Sequence, residues 1–125
     1  MIMKASEFVT SLEEYIPYFI KHCNKKGLDA KMWNAYSPYH DGYGFGKPYI
    51  DGDKIIMPAG ARFETGKEYE NYSRTIGEIL SDIKELIKEN GNKELYMETH
   101  CLGSIVTVTQ FIVSYGNIHV IHFND

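Results

Sequence analysis

Arginine is nearly missing from this chain: only Arg62 and Arg74 occur, and no run of basic residues appears anywhere. With a formal net charge of −4, the electrostatic footprint of a phosphate-backbone binder is lacking, which sets nucleic acid aside as a partner. Cysteine is equally scarce. Cys23 and Cys101 lie far apart without metal-type spacing, so they read as buried free thiols in a reducing compartment rather than as a disulfide or a zinc site. No apolar run approaches the length of a bilayer span, which argues against a membrane helix. No secretory leader pattern precedes the amphipathic segment that follows Lys4 and Glu7, so the expected compartment is the cytoplasm. A phosphate loop is also missing. Gly42–Lys47 lacks the Walker spacing, and Pro48 prevents the helix that should follow. No motif fixes a reaction, so no catalytic residue, metal or cofactor is assigned.

What the chain does have is an unusual segment, Tyr36–Tyr49. Its fourteen residues hold five aromatic residues, two prolines and three alternating glycines, Gly42, Gly44 and Gly46. Such a mixture reads as a surface loop that presents rings. Tyrosine and phenylalanine offer large contact area for few frozen torsions, and glycine lets the backbone adapt. The expected binding residues are Tyr36, Tyr39, His40, Tyr43, Phe45 and Lys47. The alternatives are that these rings pack on the chain's own core edge, or meet a second copy of it.

A length of 125 residues predicts one domain spanning 1–125, and 43% hydrophobic against 24% charged residues reads as globular rather than disordered. Residues 6–26 carry Phe8, Val9, Leu12, Tyr15, Ile16, Phe19, Ile20 and Cys23 at helical spacing, with Ser6 as cap and Gly27 as stop. Pro17 falls on the solvent side and should bend this helix; the rival reading is two short helices meeting at Ile16. A second helix is predicted over 67–90. Thr65 and Glu68 form its capping box, and Asn90-Gly91 its end. Strands are expected near 31–36, 49–50 and 54–57, with Asp51-Gly52-Asp53 as a hairpin turn. Three more are expected at 94–102, 105–115 and 118–123, joined by Gly103-Ser104 and Gly116-Asn117. The fold class is therefore α+β, in the order α-β-β-β-α-β-β-β, with one antiparallel sheet and both helices on one face.

That register predicts two sheet faces. Leu95, Met97, Thr99, Cys101, Val106, Val108, Ile112, Ile121 and Phe123 form the core side. Tyr96, Glu98, His100, Thr107, Thr109, Phe111, Tyr115 and His122 form a polar and aromatic side. His100 and Cys101 then point oppositely and cannot form a dyad. Glu98, His100 and His122 share a side and could hold a divalent metal, although an ordinary polar face, with Glu98 and Thr109 as a cross-strand pair, is the favoured account. The apolar residues Phe111, Val113, Tyr115, Ile118 and Val120 invite a symmetric dimer. On the second helix, Glu78, Asp82, Glu85 and Glu89 read as a solvated stripe or as a docking surface for a basic partner.

The expected function is that of a small cytoplasmic, non-enzymatic binding module, of the inhibitor or immunity-protein kind, that grips another macromolecule through the 36–49 loop. One alternative is a pocket for a small planar, nucleotide-like ligand between that loop and the polar side of the sheet, formed by Tyr96, Glu98, His100, Thr107, Thr109 and His122. A second is a small enzyme using Glu98, His100 and His122.

Overall fold

The computed structural model describes residues 3–35, 43–60, 71–98, 105–108, 110–114 and 116–121. Among them are two α-helices, α1 (Ala5–His22) and α2 (Ile76–Asn90), and nine strands. The strands are β1 (Met32–Ala35), β2 (Tyr43–Phe45), β3 (Tyr49–Asp51), β4 (Lys54–Met57), β5 (Ala59–Gly60), β6 (Glu94–Glu98), β7 (Ile105–Thr107), β8 (Gln110–Ser114) and β9 (Asn117–Ile121). The fold is α+β, and the expected order of helices and strands is broadly observed. The single antiparallel sheet is not. The strands form two mixed sheets, ordered β5-β2-β1-β9-β8 and β3-β4-β6-β7. Each contains one parallel pair, β1 with β9 and β4 with β6.

The helix α1 runs unbroken through Pro17. Its Phe8, Leu12 and Phe19 are fully buried. Ser6 is not its cap. It lies inside the first turn, where Asn92 reaches across from the α2–β6 connection. The Asn92 side-chain oxygen accepts from the Ser6 amide at 3.0 Å, and its nitrogen donates to Ser6 Oγ at 2.7 Å. A distant side chain thus satisfies one of the donors a helix start leaves open. The stretch expected as one helix over 67–90 is interrupted at 72–75, ahead of α2. Thr75 Oγ1 accepts from the Glu78 amide at 3.2 Å, while Glu78 Oε1 accepts from the Thr75 amide at 3.1 Å. That reciprocal box sets the start at Ile76. The expected box at Thr65 and Glu68 lies outside the described residues. The end at Gly91 is as expected, with φ +90°.

The stretch 105–115, expected as one strand, belongs to both sheets. β7 pairs with β6, and β8 pairs with β9. Val108, fully buried, sits at the crossing. A strand that changes sheets resets which side its residues face. Phe111 therefore packs on the core side, its ring 6.0 Å from Phe8 and 5.9 Å from Tyr15 of α1. Ile118 and Val120 are fully buried in the same core, and Val113 packs against it. Phe111, Val113, Ile118 and Val120 of the apolar face invoked for a dimer thus lie in or against the chain's own core, and Tyr115 lies outside the described residues. Asn117, expected in the turn, belongs to β9, where it pairs with Ser114, and Gly116 takes φ +75°.

Candidate binding surface

In the four-stranded sheet, Ile50, Ile55, Met57, Leu95, Met97 and Val106 belong to the core. Alternation along the strands puts Tyr49, Asp51, Lys54, Ile56, Glu94, Tyr96, Glu98, Ile105 and Thr107 on the opposite face, where Ile56, in register between Tyr49 and Tyr96, is fully buried. Here the expected partition holds: Tyr96, Glu98 and Thr107 share this outer face. Tyr96 pairs in register with Thr107.

Two phenol–carboxylate pairs organise the face. The Tyr49 hydroxyl donates to Glu98 Oε1 at 2.8 Å, and the Tyr96 hydroxyl donates to Glu94 Oε2 at 2.9 Å. Lys54 Nζ lies 5.3 Å from the Tyr96 ring centroid, within cation–π range. Partial burial, then the hydrogen bond to Glu98 and that carboxylate's charge, push the Tyr49 phenol up to about 12. The Tyr96 phenol is raised as well, first by its bond to Glu94 and then by burial. Both hydroxyl protons are therefore committed to carboxylates at neutral pH. What the face offers a partner is ring surface, carboxylate oxygens and the side chain of Ile105, 43% exposed. It is rich in acceptors and carries more negative than positive charge.

The ring-rich segment divides into unlike parts. Tyr36, Tyr39 and His40 lie outside the described residues, as do His100, Thr109 and His122, so the proposed Glu98–His100–His122 arrangement lies outside them too. Tyr43 belongs to β2, where its backbone pairs with Asn34. Lys47 is exposed. Phe45 is fully buried in the core, which removes it from the ligand-contacting set.

Two of the alternating glycines, Gly44 and Gly46, have a packing role, as does Gly60; Gly42 lies outside the described residues. A side-chain carbon added at Gly44 would lie 1.9 Å from the Tyr72 carbonyl oxygen, and one at Gly46 or Gly60 would lie 3.0 Å from the Tyr72 ring. Residues 71–74 cross β2 and β5 at these three positions. The contact is fixed by Arg74 N donating to Phe45 O at 3.0 Å. Glycine stands there because the crossing backbone and ring fill the space a side chain would need. Flexibility for recognition is not the reason.

The acidic stripe of α2 is partly neutralised internally. Arg74 reaches Asp82 at 2.7 Å and Glu78 at 3.1 Å. Among the described residues no cluster of three metal-ligating side chains occurs, and no described helix is long and apolar enough to cross a membrane. Cys23 is a half-buried free thiol 4.0 Å from the Tyr15 hydroxyl.

Sequence reasoning missed two features. Tyr49 is expected at the end of the ring-rich segment and the start of a strand, but not as the residue that anchors Glu98. The join between them depends on the parallel β4–β6 pairing, which no local pattern encodes. The second is a polar cleft beside Trp33, for which the chain's single tryptophan, two residues from Lys31, was the available signal. No family model, curated protein or solved structure matches this chain.

Proposed function

We propose that the protein is a non-catalytic binding module whose outer four-stranded face grips a protein partner presenting basic, hydrogen-bond-donating side chains. The observation that carries this is the pair of phenol–carboxylate contacts, Tyr49 with Glu98 and Tyr96 with Glu94. They hold two rings upright and leave carboxylate oxygens as the free hydrogen-bonding groups. Lysine and especially arginine complement such a surface, since the guanidinium fork fits a carboxylate and stacks on a ring. The overall charge of −4 favours the same partner by steering. Inhibition of that partner is the natural consequence if its basic patch is functional.

The test is affinity capture from the native cytoplasm, comparing wild type with a Glu94→Lys, Glu98→Lys double variant of unchanged circular dichroism. A salt-sensitive partner retained by the first and lost from the second is expected. Equal retention by both, or none by either, refutes the proposal.

A second reading, a small planar ligand held between residues 36–49 and this face, has one supporting observation. Asn34, buried at the end of β1 just before that segment, donates its side-chain N–H to Glu98 O at 2.7 Å. The root of the segment therefore lies at the rim of the face. Loss of ligand binding in Tyr39→Ala, with the fold intact, distinguishes this reading from the first.

A further inference from the structure

The outer face of the four-stranded sheet falls into three rows with unlike charge. In the middle row Tyr49, Ile56, Tyr96 and Thr107 stand side by side in register. Ile56 is fully buried, so a partner's side chain cannot reach the sheet there. At one end Asp51, Lys54 and Glu94 stand in register. Lys54 sits between those two carboxylates with its Nζ 5.3 Å from the Tyr96 ring centroid, and Lys4 is in register with Glu94 through an isolated antiparallel bridge. In-register neighbours on one face are about 4.5–5.5 Å apart at Cβ, so this end carries its own cations close to its anions.

The Glu98 end differs. Its register partner is Ile105, an exposed aliphatic side chain, and among the described residues Glu98 forms no ion pair. Lys47, two residues before Tyr49, is exposed, and no ion pair joins it to Glu98. The Tyr49 hydroxyl takes one site on Oε1. An ionised carboxylate has about four lone-pair sites, so Oε2 and the rest of Oε1 are left for a second donor. Glu98 is also held from two directions, by Tyr49 at its carboxylate and by the Asn34 side chain, which donates to its backbone carbonyl at 2.7 Å. An anion already fixed in place costs less to order on binding than a free one.

We propose that this end of the face seats one arginine side chain of the protein partner, with its guanidinium on Glu98 and its aliphatic stem along Ile105. A guanidinium fork matches two carboxylate oxygens, and the methylenes behind it cover apolar surface while the charge stays in water. Lysine presents a point charge without the fork and fits less well. The inference rests on the sheet-face reading and narrows it: the contact that discriminates between partners is at Glu98, and Glu94 contributes less. The two carboxylates stand four residues apart on β6, roughly 13 Å along the strand, which exceeds the ~8 Å screening length of physiological salt.

The experiment is an NMR titration of backbone and methyl signals with Nα-acetyl-arginine amide at constant ionic strength. The corresponding lysine and citrulline amides serve as comparisons, citrulline keeping the shape of arginine without its charge. Saturable millimolar binding of the arginine probe is expected, with shifts at Ile105 and Tyr49, weaker binding of lysine and none of citrulline. Glu98→Gln keeps an acceptor for the Tyr49 hydroxyl and should weaken the arginine probe about fivefold, the worth of one charge contact about 4 Å away in water. Ile105→Ala, at an exposed position, should cost about twofold, from roughly 20 Å² of lost apolar contact. Glu94→Gln should cost less than Glu98→Gln. Equal binding of the lysine or citrulline amide, full affinity in Glu98→Gln or Ile105→Ala, or no saturable shift at tens of millimolar overturns the arginine seat. A loss in Glu94→Gln as large as in Glu98→Gln overturns it too, while leaving the sheet face as the docking surface. The sheet-face reading is judged separately, by the capture comparison with the double variant.

Discussion

Replacing Gly44 by alanine should be among the most damaging single-methyl changes available in this protein. The added carbon would meet the Tyr72 carbonyl oxygen at 1.9 Å, and Lys31 Cε and Nζ at 2.7 and 3.0 Å. The lysine can swing away, but the carbonyl belongs to the backbone. Reaching an ordinary carbon–oxygen contact of roughly 3.3 Å needs a shift of about 1.4 Å. The segment is tied at Arg74, whose amide donates to Phe45 O at 3.0 Å and whose carbonyl accepts from Met32 N at 3.3 Å. A shift of that size breaks or strains both bonds. Overpacking costs about 1–3 kcal/mol and each lost backbone bond about 0.5–1.5 kcal/mol, so a loss of about 2–5 kcal/mol is expected. That is a large share of the ~5–15 kcal/mol available to a domain.

Chemical denaturation measures it, and two controls separate mechanism from magnitude. Gly60→Ala meets the Tyr72 ring first, so Tyr72→Ala should relieve it and the pair should couple strongly. Gly44→Ala meets the carbonyl, which Tyr72→Ala retains, so those two changes should add to within about 0.5 kcal/mol. The packing account is refuted if Gly44→Ala unfolds at the wild-type denaturant concentration, or if Tyr72→Ala rescues it as fully as it rescues Gly60→Ala.

Three further outcomes follow from single contacts. Tyr49, with its phenol raised to about 12, holds its proton in the folded state where an unfolded tyrosine near 10 has lost it. Its contribution is therefore fully present below pH 10 and is lost as pH rises from about 10 to 12; Tyr49→Phe should flatten that decline, read by thermal melts across the window. Thr75→Ala removes the cap of α2 and should cost about 1 kcal/mol, with reduced helical ellipticity and little change in denaturant slope. Asn34→Ala removes a buried side chain and leaves the part-buried Glu98 carbonyl without its donor; it should cost about 1–3 kcal/mol, more than Asn92→Ala, whose bonds to the start of α1 are exposed.

The helices were legible because their signals are local. The stripe through Phe8, Leu12 and Phe19 and the stop at Gly91 depend on neighbours within a few turns. The hairpin over Gly52 and Asp53 was legible for the same reason. What escaped was set at long range. Nothing near Val108 announces that the chain leaves one sheet for another. Once it does, the odd-numbered residues that face outward at Thr107 face inward by Phe111. Likewise Thr75-Glu78, whose approach is held by Ala30 and Phe45 far away in sequence, is a helix start, while Thr65-Glu68 lies outside the described residues. Of the candidate site, Tyr96, Glu98 and Thr107 came from alternation alone. Tyr49 did not, since it reaches Glu98 across β4.

The glycine pattern carries the wider lesson about recognising binding loops. Rings alternating with glycines suggest a flexible, sticky segment when read by composition. In β2 the same alternation is what a strand needs when one side faces the core and the other lies under a crossing backbone. Phe45 fills the first side, and Gly44 and Gly46 leave room on the second. A ring buried this way contributes to stability, and mutating it would abolish binding by unfolding the protein rather than by removing a contact. A functional scan of residues 36–49 therefore has to separate the two effects. Lys47 and Tyr49 can be changed with modest cost to the core, being exposed and 39% exposed respectively. Phe45 and Gly44 cannot. If binding follows Tyr49, Glu94 and Glu98 while stability follows Phe45 and Gly44, recognition belongs to the four-stranded face and the glycines belong to the scaffold.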